Sequence, residues 1–144
     1  MKIFVDTGAW KALYDKDDSL HELAVQTSHD LKEQRATFIT SNFICDETIT
    51  LLRVKTGHEL ASKFGDSLWG SRIINIVHVS PDIESQAWEI FKKYSDKSFS
   101  FTDCTSFATM QQLEINQAFT FDAHFRQFGF QILPSAEPLQ TTKA

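Results

Sequence analysis

The stretch Lys2-Ile3-Phe4-Val5-Asp6 predicts a short buried strand that ends at an acidic residue. A similar arrangement occurs near the other end of the chain, where Gln117-Ala118-Phe119-Thr120-Phe121 runs into Asp122. Apolar or β-branched runs at 37–40, 73–79 and 130–133 predict three more strands. Segments with helical spacing lie between the strands, and parallel neighbours need such crossovers. We therefore predict an α/β fold with a mostly parallel sheet of about five strands flanked by helices.

Several of the predicted helices have recognisable start residues. Ser41 is a predicted N-cap for a helix over 42–55, which Gly57 ends. Pro81 suits the first turn of the helix that follows the third strand. Thr102 is a predicted N-cap for a helix over 103–113. Apolar spacing predicts the remaining helices over residues 9–14, 20–34 and 58–69, with a short helical turn after residue 122.

Length and charge limit the classes of protein that the chain can represent. Its 144 residues suit one domain, which we place at 1–134, with a flexible tail over 135–144. The formal net charge of -5 excludes a surface that is basic throughout and built to bind nucleic acid. The sequence has no apolar run of about 18 residues, no signal-peptide pattern at its start and only two cysteines. We therefore expect a cytoplasmic protein without a membrane segment.

Two of the acidic residues follow predicted strands directly. Asp6 and Asp122 both come at the carboxyl end of a strand, and ligands of parallel sheets bind beyond that edge. Aspartate is also a common turn residue after a strand, so neither residue proves a site by itself.

Two further acids lie on predicted helices. Phe43, Glu47 and Leu51 are spaced by four, which puts the carboxylate on an apolar face and predicts that it points inward. A glutamate at the margin of that face, reaching solvent, is the ordinary alternative. Asp103 follows Thr102 in the first turn of its helix, where an acid complements the helix dipole without any further role.

Taken together, the four acids indicate a metal site. They can all face one crevice, and four carboxylates at close range need a compensating cation to remain ionised. Sets of oxygen ligands select hard cations, so we predict Mg²⁺ or Mn²⁺. Hard divalent ions in acidic clusters mostly serve phosphate chemistry.

Four short blocks, each containing one of these acids, occur in order along the chain: Val5-Asp6-Thr7-Gly8-Ala9-Trp10, Ser41-Asn42-Phe43 leading to Asp46-Glu47-Thr48, Ser100-Phe101-Thr102-Asp103-Cys104, and Phe119-Thr120-Phe121-Asp122-Ala123-His124-Phe125. In this order and spacing they resemble the signature blocks of PIN-domain nucleases, most closely the VapC-like toxin branch. The resemblance spans residues 2 to about 134.

The resemblance implies a three-layer PIN-like sandwich and a ribonuclease that depends on Mg²⁺ or Mn²⁺. It makes Asp6, Glu47, Asp103 and Asp122 the catalytic and metal-binding quartet. Thr7 and Thr120 fall where the family commonly has a hydroxyl that supports the quartet. The toxin branch further implies an RNA substrate, a small antitoxin protein as partner and a homodimer.

Basic residues in the middle of the chain are candidates for contact with RNA phosphates. The segment 51–100 is the only third with more bases than acids. Ordinary solvated charges on helices explain the same residues equally well. The candidates for RNA contact are Arg53, Lys55, Lys63 and Arg72.

Three other functions fit parts of the pattern. A phospho-acceptor signalling domain also has acids at strand ends, but it needs a Lys after a late strand, and residues 98–142 contain none. A PIN-like module that binds nucleic acid or protein without catalysis would not need the complete quartet. A nuclease acting on DNA would need the same acids as one acting on RNA.

Overall fold

The computed structural model describes residues 1–135. Residues 136–144, nearly all of the predicted flexible tail, lie outside the described part. Within 1–135, strands and helices alternate in the order β1 (Lys2–Val5), α1 (Thr7–Tyr14), α2 (His21–Glu33), β2 (Thr37–Ser41), α3 (Asn42–Thr56), α4 (His58–Gly70), β3 (Ile74–Val77), α5 (Pro81–Lys93), α6 (Phe101–Gln112), β4 (Gln117–Phe119), α7 (Ala123–Phe128) and β5 (Gln131–Leu133).

The five strands form one sheet in the order β3-β2-β1-β4-β5, and every pairing between neighbours is parallel. The central strand β1 pairs Ile3 with Phe38 on one side and with Gln117 on the other. The chain therefore moves outward from β1 in one direction, returns, and continues in the other direction. Such a reversal opens a crevice beside the carboxyl end of the central strand.

The helices pack in two groups, one made of α1 to α4 and the other of α5 to α7. Right-handed crossovers place these groups on opposite faces of the sheet, because the chain direction reverses after β3. The result is a three-layer α/β sandwich, as predicted. None of the helices within residues 1–135 is long and apolar enough to cross a bilayer.

The core is centred on β1, where Ile3, Phe4 and Val5 are fully buried. A strand buried on both faces has no polar alternation, which explains the continuous apolar run in the sequence. Phe107 and Phe125 of the second helical group pack against each other edge to face, with ring centroids 5.0 Å apart. This aromatic packing fixes α6 and α7 against the sheet and, with them, the residues at their N-termini.

Two predicted boundaries next to the acids are wrong, and the strand predicted over 73–79 is shorter, Ile74–Val77. The N-cap of α6 is Ser100, not Thr102, and the helix begins at Phe101. Ser100 Oγ accepts the Asp103 N–H while Asp103 Oδ2 accepts the Ser100 N–H, a reciprocal pair that outcompetes a cap at Thr102. The strand β4 ends at Phe119, so Asp122 does not follow it directly; it is the N-cap of α7, its side chain accepting the His124 N–H.

Candidate metal centre

All four predicted acids line one open cleft at the carboxyl edge of the sheet. Asp6 follows β1 directly, and Asp122 lies in the connection from β4 to α7. Asp103 is carried by the first turn of α6, and Glu47 by the second turn of α3. Elements far apart in the sequence thus contribute one carboxylate each. Among the residues that the structure describes, no Lys or Arg lines this cleft.

Asp6 is the most buried of the four, with 7% of its surface exposed. Burial raises its pKa from 3.8 to about 7, and the charges of Asp103 and Asp122 act in the same direction. Hydrogen bonds from the Thr7 backbone and the Thr120 hydroxyl oppose this rise. Thr120 Oγ1 donates to Asp6 Oδ2 at 3.0 Å and itself accepts the Asp122 N–H at 3.0 Å. The predicted supporting residue Thr120 therefore links two of the acids.

Asp103 takes part in the N-terminal cap of α6 and also lines the cleft. Its Oδ2 accepts the Ser100 N–H at 3.0 Å in the helix cap and also lies 3.0 Å from His124 Nδ1. Burial raises the pKa of Asp103, and the charge of Asp122 adds to the rise, whereas the Ser100 N–H and His124 oppose it. The capping interaction explains why an acid sits in this turn, and the neighbouring acids explain why it is costly to ionise.

His124 belongs to the cleft, although the sequence analysis did not include it among the ligands. Its Nδ1 lies 3.0 Å from Asp103 Oδ2 and 3.3 Å from Asp122 Oδ1, and its ring packs edge-on against Phe99. Asp103, Asp122 and His124 can each present one ligand atom, all within 4.8 Å of one another. The available signal was its position in the first turn of α7, two residues after Asp122.

Glu47 reaches the cleft from an exposed position rather than from the core. The buried face of α3 is formed by Ile44, Cys45, Thr48 and Leu52. The face that carries Phe43 and Leu51 is therefore the margin of the buried surface, and of the two alternatives for Glu47 the structure shows a glutamate at that margin. Its Oε1 accepts the Thr7 hydroxyl at 2.5 Å, which brings the other predicted supporting residue next to an acid.

The predicted phosphate-binding residues are not part of this cleft. Arg53 lies in a separate groove between α3 and α4, with His58 and Asp66. Lys63 pairs with Glu59 on the exposed face of α4 at 3.7 Å. Lys55 and Arg72 are exposed, at the end of α3 and just before β3. The structure brings the four acids and the two threonines together and leaves the four basic residues outside.

The donor set of the cleft fits a divalent cation. One oxygen of each carboxylate accepts a hydrogen bond from the chain, the donors being the hydroxyls of Thr120 and Thr7 for Asp6 and Glu47, and backbone N–H groups for Asp103 and Asp122. Such bonds orient the acids without neutralising them, and burial together with the charges of neighbouring acids raises the pKa values of Asp6 and Asp103. A cation is the species that relieves this repulsion.

A family model of the PIN domain matches residues 3–131 of the chain. The 23S rRNA-specific endonuclease VapC20 of Mycobacterium tuberculosis is 36% identical over 128 residues, which cover 89% of this chain and 95% of the relative. The VapC ribonuclease of Archaeoglobus fulgidus is 30% identical over 127 residues, covering 87% of this chain and 80% of the relative.

Solved structures agree with the sequence matches. The crystal structure of VapC20 from M. tuberculosis, described as a sarcin-ricin loop cleaving toxin, matches with a TM-score of 0.81 over 89% of this chain and 95% of that chain, at 36% identity. VapBC2 from Rickettsia felis, bound to a DNA fragment from its promoter, matches with a TM-score of 0.68 over 92% and 97% of the two chains. At 11% identity, this second likeness concerns the fold alone.

Proposed function

This chain belongs to the PIN domain family, and we propose that it is a divalent-metal-dependent endoribonuclease and the toxin of a toxin–antitoxin pair. The observation that carries the proposal is a cleft lined by four carboxylates and free of Lys and Arg within the described residues. Relatives at 36% and 30% identity that carry the names endonuclease and ribonuclease support RNA cleavage.

We assign metal binding to Asp6, Glu47, Asp103 and Asp122, with Mg²⁺ or Mn²⁺ as the ion. Oxygen donors favour these hard cations over Zn²⁺, which prefers Cys and His. When bound, the ion supplies positive charge at the phosphate oxygens and lowers the pKa of water. The threonines hold two of the acids: Thr7 orients Glu47, and Thr120 orients Asp6.

The substrate that we propose is RNA, and ribosomal RNA is the first to be tested. The relative that is 36% identical is named for 23S rRNA, and its structure for cleavage of the sarcin-ricin loop. We keep Arg53, Lys55, Lys63 and Arg72 as predicted phosphate contacts. They are exposed and outside the cleft, so an RNA that reaches them extends beyond the cleavage site.

Purified protein tests the proposal directly. We expect cleavage of an RNA containing the sarcin-ricin loop with Mn²⁺ or Mg²⁺, loss of cleavage with EDTA, and recovery when excess metal is added. A DNA oligonucleotide of the same sequence serves as the control and should remain intact. Cleavage that persists in EDTA would contradict the metal site, and no cleavage of any RNA together with no metal binding would favour a non-catalytic module.

We also propose the two protein partners implied by the toxin branch, within a cytoplasmic protein whose residues 1–134 form one domain. The antitoxin is a small protein that we expect to co-purify with this chain and to block cleavage. The homodimer has support on the outer face of α5, where Trp88 and Phe91 are 49% and 40% exposed with their rings stacked. Glu84 and Lys92 lie four residues before and after Trp88.

That spacing makes the α5 face self-complementary. If two copies of α5 pack antiparallel about Trp88, Glu84 of each copy meets Lys92 of the other. Analytical ultracentrifugation should give a dimer for the wild type and a monomer for Trp88→Ala. Trp69 is an exposed tryptophan on α4, so the control variant Trp69→Ala should remain dimeric. Glu84→Lys should weaken the dimer, and Glu84→Lys combined with Lys92→Glu should restore it. A dimer unaffected by all of these changes would place the interface elsewhere.

A further inference from the structure

Thr48 makes a hydrogen bond that differs from those of four other helical threonines. The hydroxyls of Thr27, Thr56, Thr105 and Thr109 each donate to a backbone carbonyl three or four residues earlier in their own helix. This is the usual local partner of a helical threonine. Thr48 Oγ1 instead bonds Thr7 Oγ1 on α1, at 3.3 Å, and its side chain is fully buried between the two helices.

The direction of this bond follows from counting protons. A hydroxyl has one proton to donate, and Thr7 gives its proton to Glu47 Oε1, a carboxylate oxygen that can only accept. The oxygen of Thr7 must therefore accept from Thr48. The three side chains form a chain of two hydrogen bonds that runs from the buried helix face to the cleft.

We propose that Thr48 is a positioning residue for the metal site, acting on Glu47 through Thr7. The proposal rests on the proposed function, since it assigns a role toward the ion that Glu47 would hold. Glu47 is exposed, and a long exposed side chain samples many rotamers unless a neighbour fixes it. Thr7 can fix it only while its own rotamer is fixed, and the hydroxyl of Thr48 supplies that second constraint.

The Asp6 side of the cleft has the same construction with a different donor. There Thr120 donates to Asp6 and accepts a backbone N–H, that of Asp122. Only proline at position 122 would remove this backbone donor, and it would remove the Asp122 carboxylate as well, whereas the hydroxyl of Thr48 can be removed alone. This makes the Glu47 side the one on which the role of the second donor can be measured.

Mn²⁺ binding to the metal-free protein, followed by calorimetry, tests the inference without relying on activity. We expect Thr48→Val to raise the Mn²⁺ dissociation constant about tenfold, at the low end of the effect of losing an outer-shell partner. Thr48→Ser keeps the hydroxyl and should keep wild-type affinity. Thr27→Val is the matched control, because it also removes a buried helical hydroxyl but lies on α2, outside the cleft.

A double-mutant cycle tests whether Thr48 acts through Thr7. In a Thr7→Val background, Thr48→Val should change Mn²⁺ affinity no further. An equal change in both backgrounds, or equal affinities for Thr48→Val and Thr27→Val, would overturn the inference. Wild-type protein that binds Mn²⁺ without cleaving RNA would instead overturn the proposed function and leave the positioning role to be decided by the same binding data.

Discussion

Helix α1 has an acidic cluster at each end: the four acids of the cleft form the N-terminal cluster, and Asp15 with Asp18 forms the C-terminal cluster. The pKa shifts at the two ends have opposite directions. At its N-terminus Asp6 has a pKa raised to about 7. Beyond its C-terminus Asp15 and Asp18 have lowered pKa values, because each bonds Lys11 Nζ, at 2.8 and 2.9 Å. The helix dipole alone would have the opposite effect on these pKa values, since it favours anions at the N-terminus and disfavours them at the C-terminus.

The difference follows from where each cluster finds a positive charge. Lys11 neutralises the C-terminal cluster from within the fold, and that cluster connects α1 to α2. Within residues 1–135 no lysine lines the cleft that holds the N-terminal cluster, and burial together with neighbouring acids raises the cost of ionising Asp6 and Asp103. This contrast is the reason that we propose a metal ion for the N-terminal cluster and none for the C-terminal one.

The largest expected effect separates the two clusters by activity. Asp6→Asn and Asp103→Asn should each reduce RNA cleavage by several orders of magnitude, because each removes a charged ligand while keeping a hydrogen-bond acceptor. Asp18→Asn is the control at the other end of α1 and should retain wild-type cleavage. Circular dichroism should show the fold unchanged in all three variants. Full activity in both cleft variants would refute the assigned site.

The second effect concerns the pH dependence of stability without metal. Between pH 3.8 and about 7, folded Asp6 keeps a proton that the unfolded chain has lost. The folded state therefore loses stability as the pH rises through this range, by at most about 4 kcal/mol. Urea unfolding in EDTA at pH 5 and pH 8 measures the part of this loss above pH 5, at most about 3 kcal/mol. Asp6→Asn should flatten this slope, and an equally steep slope in that variant would assign the effect to other groups.

The third effect is the stabilisation of the folded protein by metal. At a Mn²⁺ concentration of about 100 times its dissociation constant, we expect a gain of about 2.7 kcal/mol at pH 8. Differential scanning calorimetry with and without Mn²⁺ measures this gain. Asp103→Asn should reduce it strongly, whereas Asp18→Asn should leave it intact. Equal stabilisation of all variants would indicate that Mn²⁺ binds elsewhere.

The smallest expected effect comes from removing the charge of Lys11. Lys11→Met should lower the free energy of unfolding by about 1 kcal/mol, since partly exposed ion pairs contribute little. The pKa of Asp18 should rise towards its ordinary value, which nuclear magnetic resonance titration of the carboxyl carbon can follow. Cleavage of RNA should not change. A large loss of activity would mean that the two ends of α1 are coupled, against the comparison drawn above.

The sequence alone was sufficient to predict the layered α/β fold because β1 is a continuous apolar run and the helices repeat at regular spacing. The N-terminus of α6 was predicted wrongly because two nearby residues can both act as the N-cap, and Ser100 rather than Thr102 does so. The four acids were found from strand ends and helix faces. Spacing by four left two alternatives for Glu47, and the docking of α3 through Ile44 and Cys45 leaves it at the margin of the buried face.

Contacts between distant residues were beyond the reach of sequence patterns. The bond from Thr48 to Thr7 joins positions 41 apart, and that from His124 to Asp103 joins positions 21 apart. Local spacing carries no information about such pairs, because they depend on how two helices dock. The sequence predicted which residue types the site contains, while docking determined which of their atoms meet.

The central position of β1 determines when the cleft can form during synthesis of the chain. Asp6 is synthesised first, yet its hydrogen-bond partner Thr120 follows 114 positions later, on the connection that also carries Asp122. A growing chain therefore cannot complete the cleft until its last strands have left the ribosome and joined the sheet. The candidate metal centre is therefore complete only at the end of translation, and a prematurely terminated chain lacks part of it.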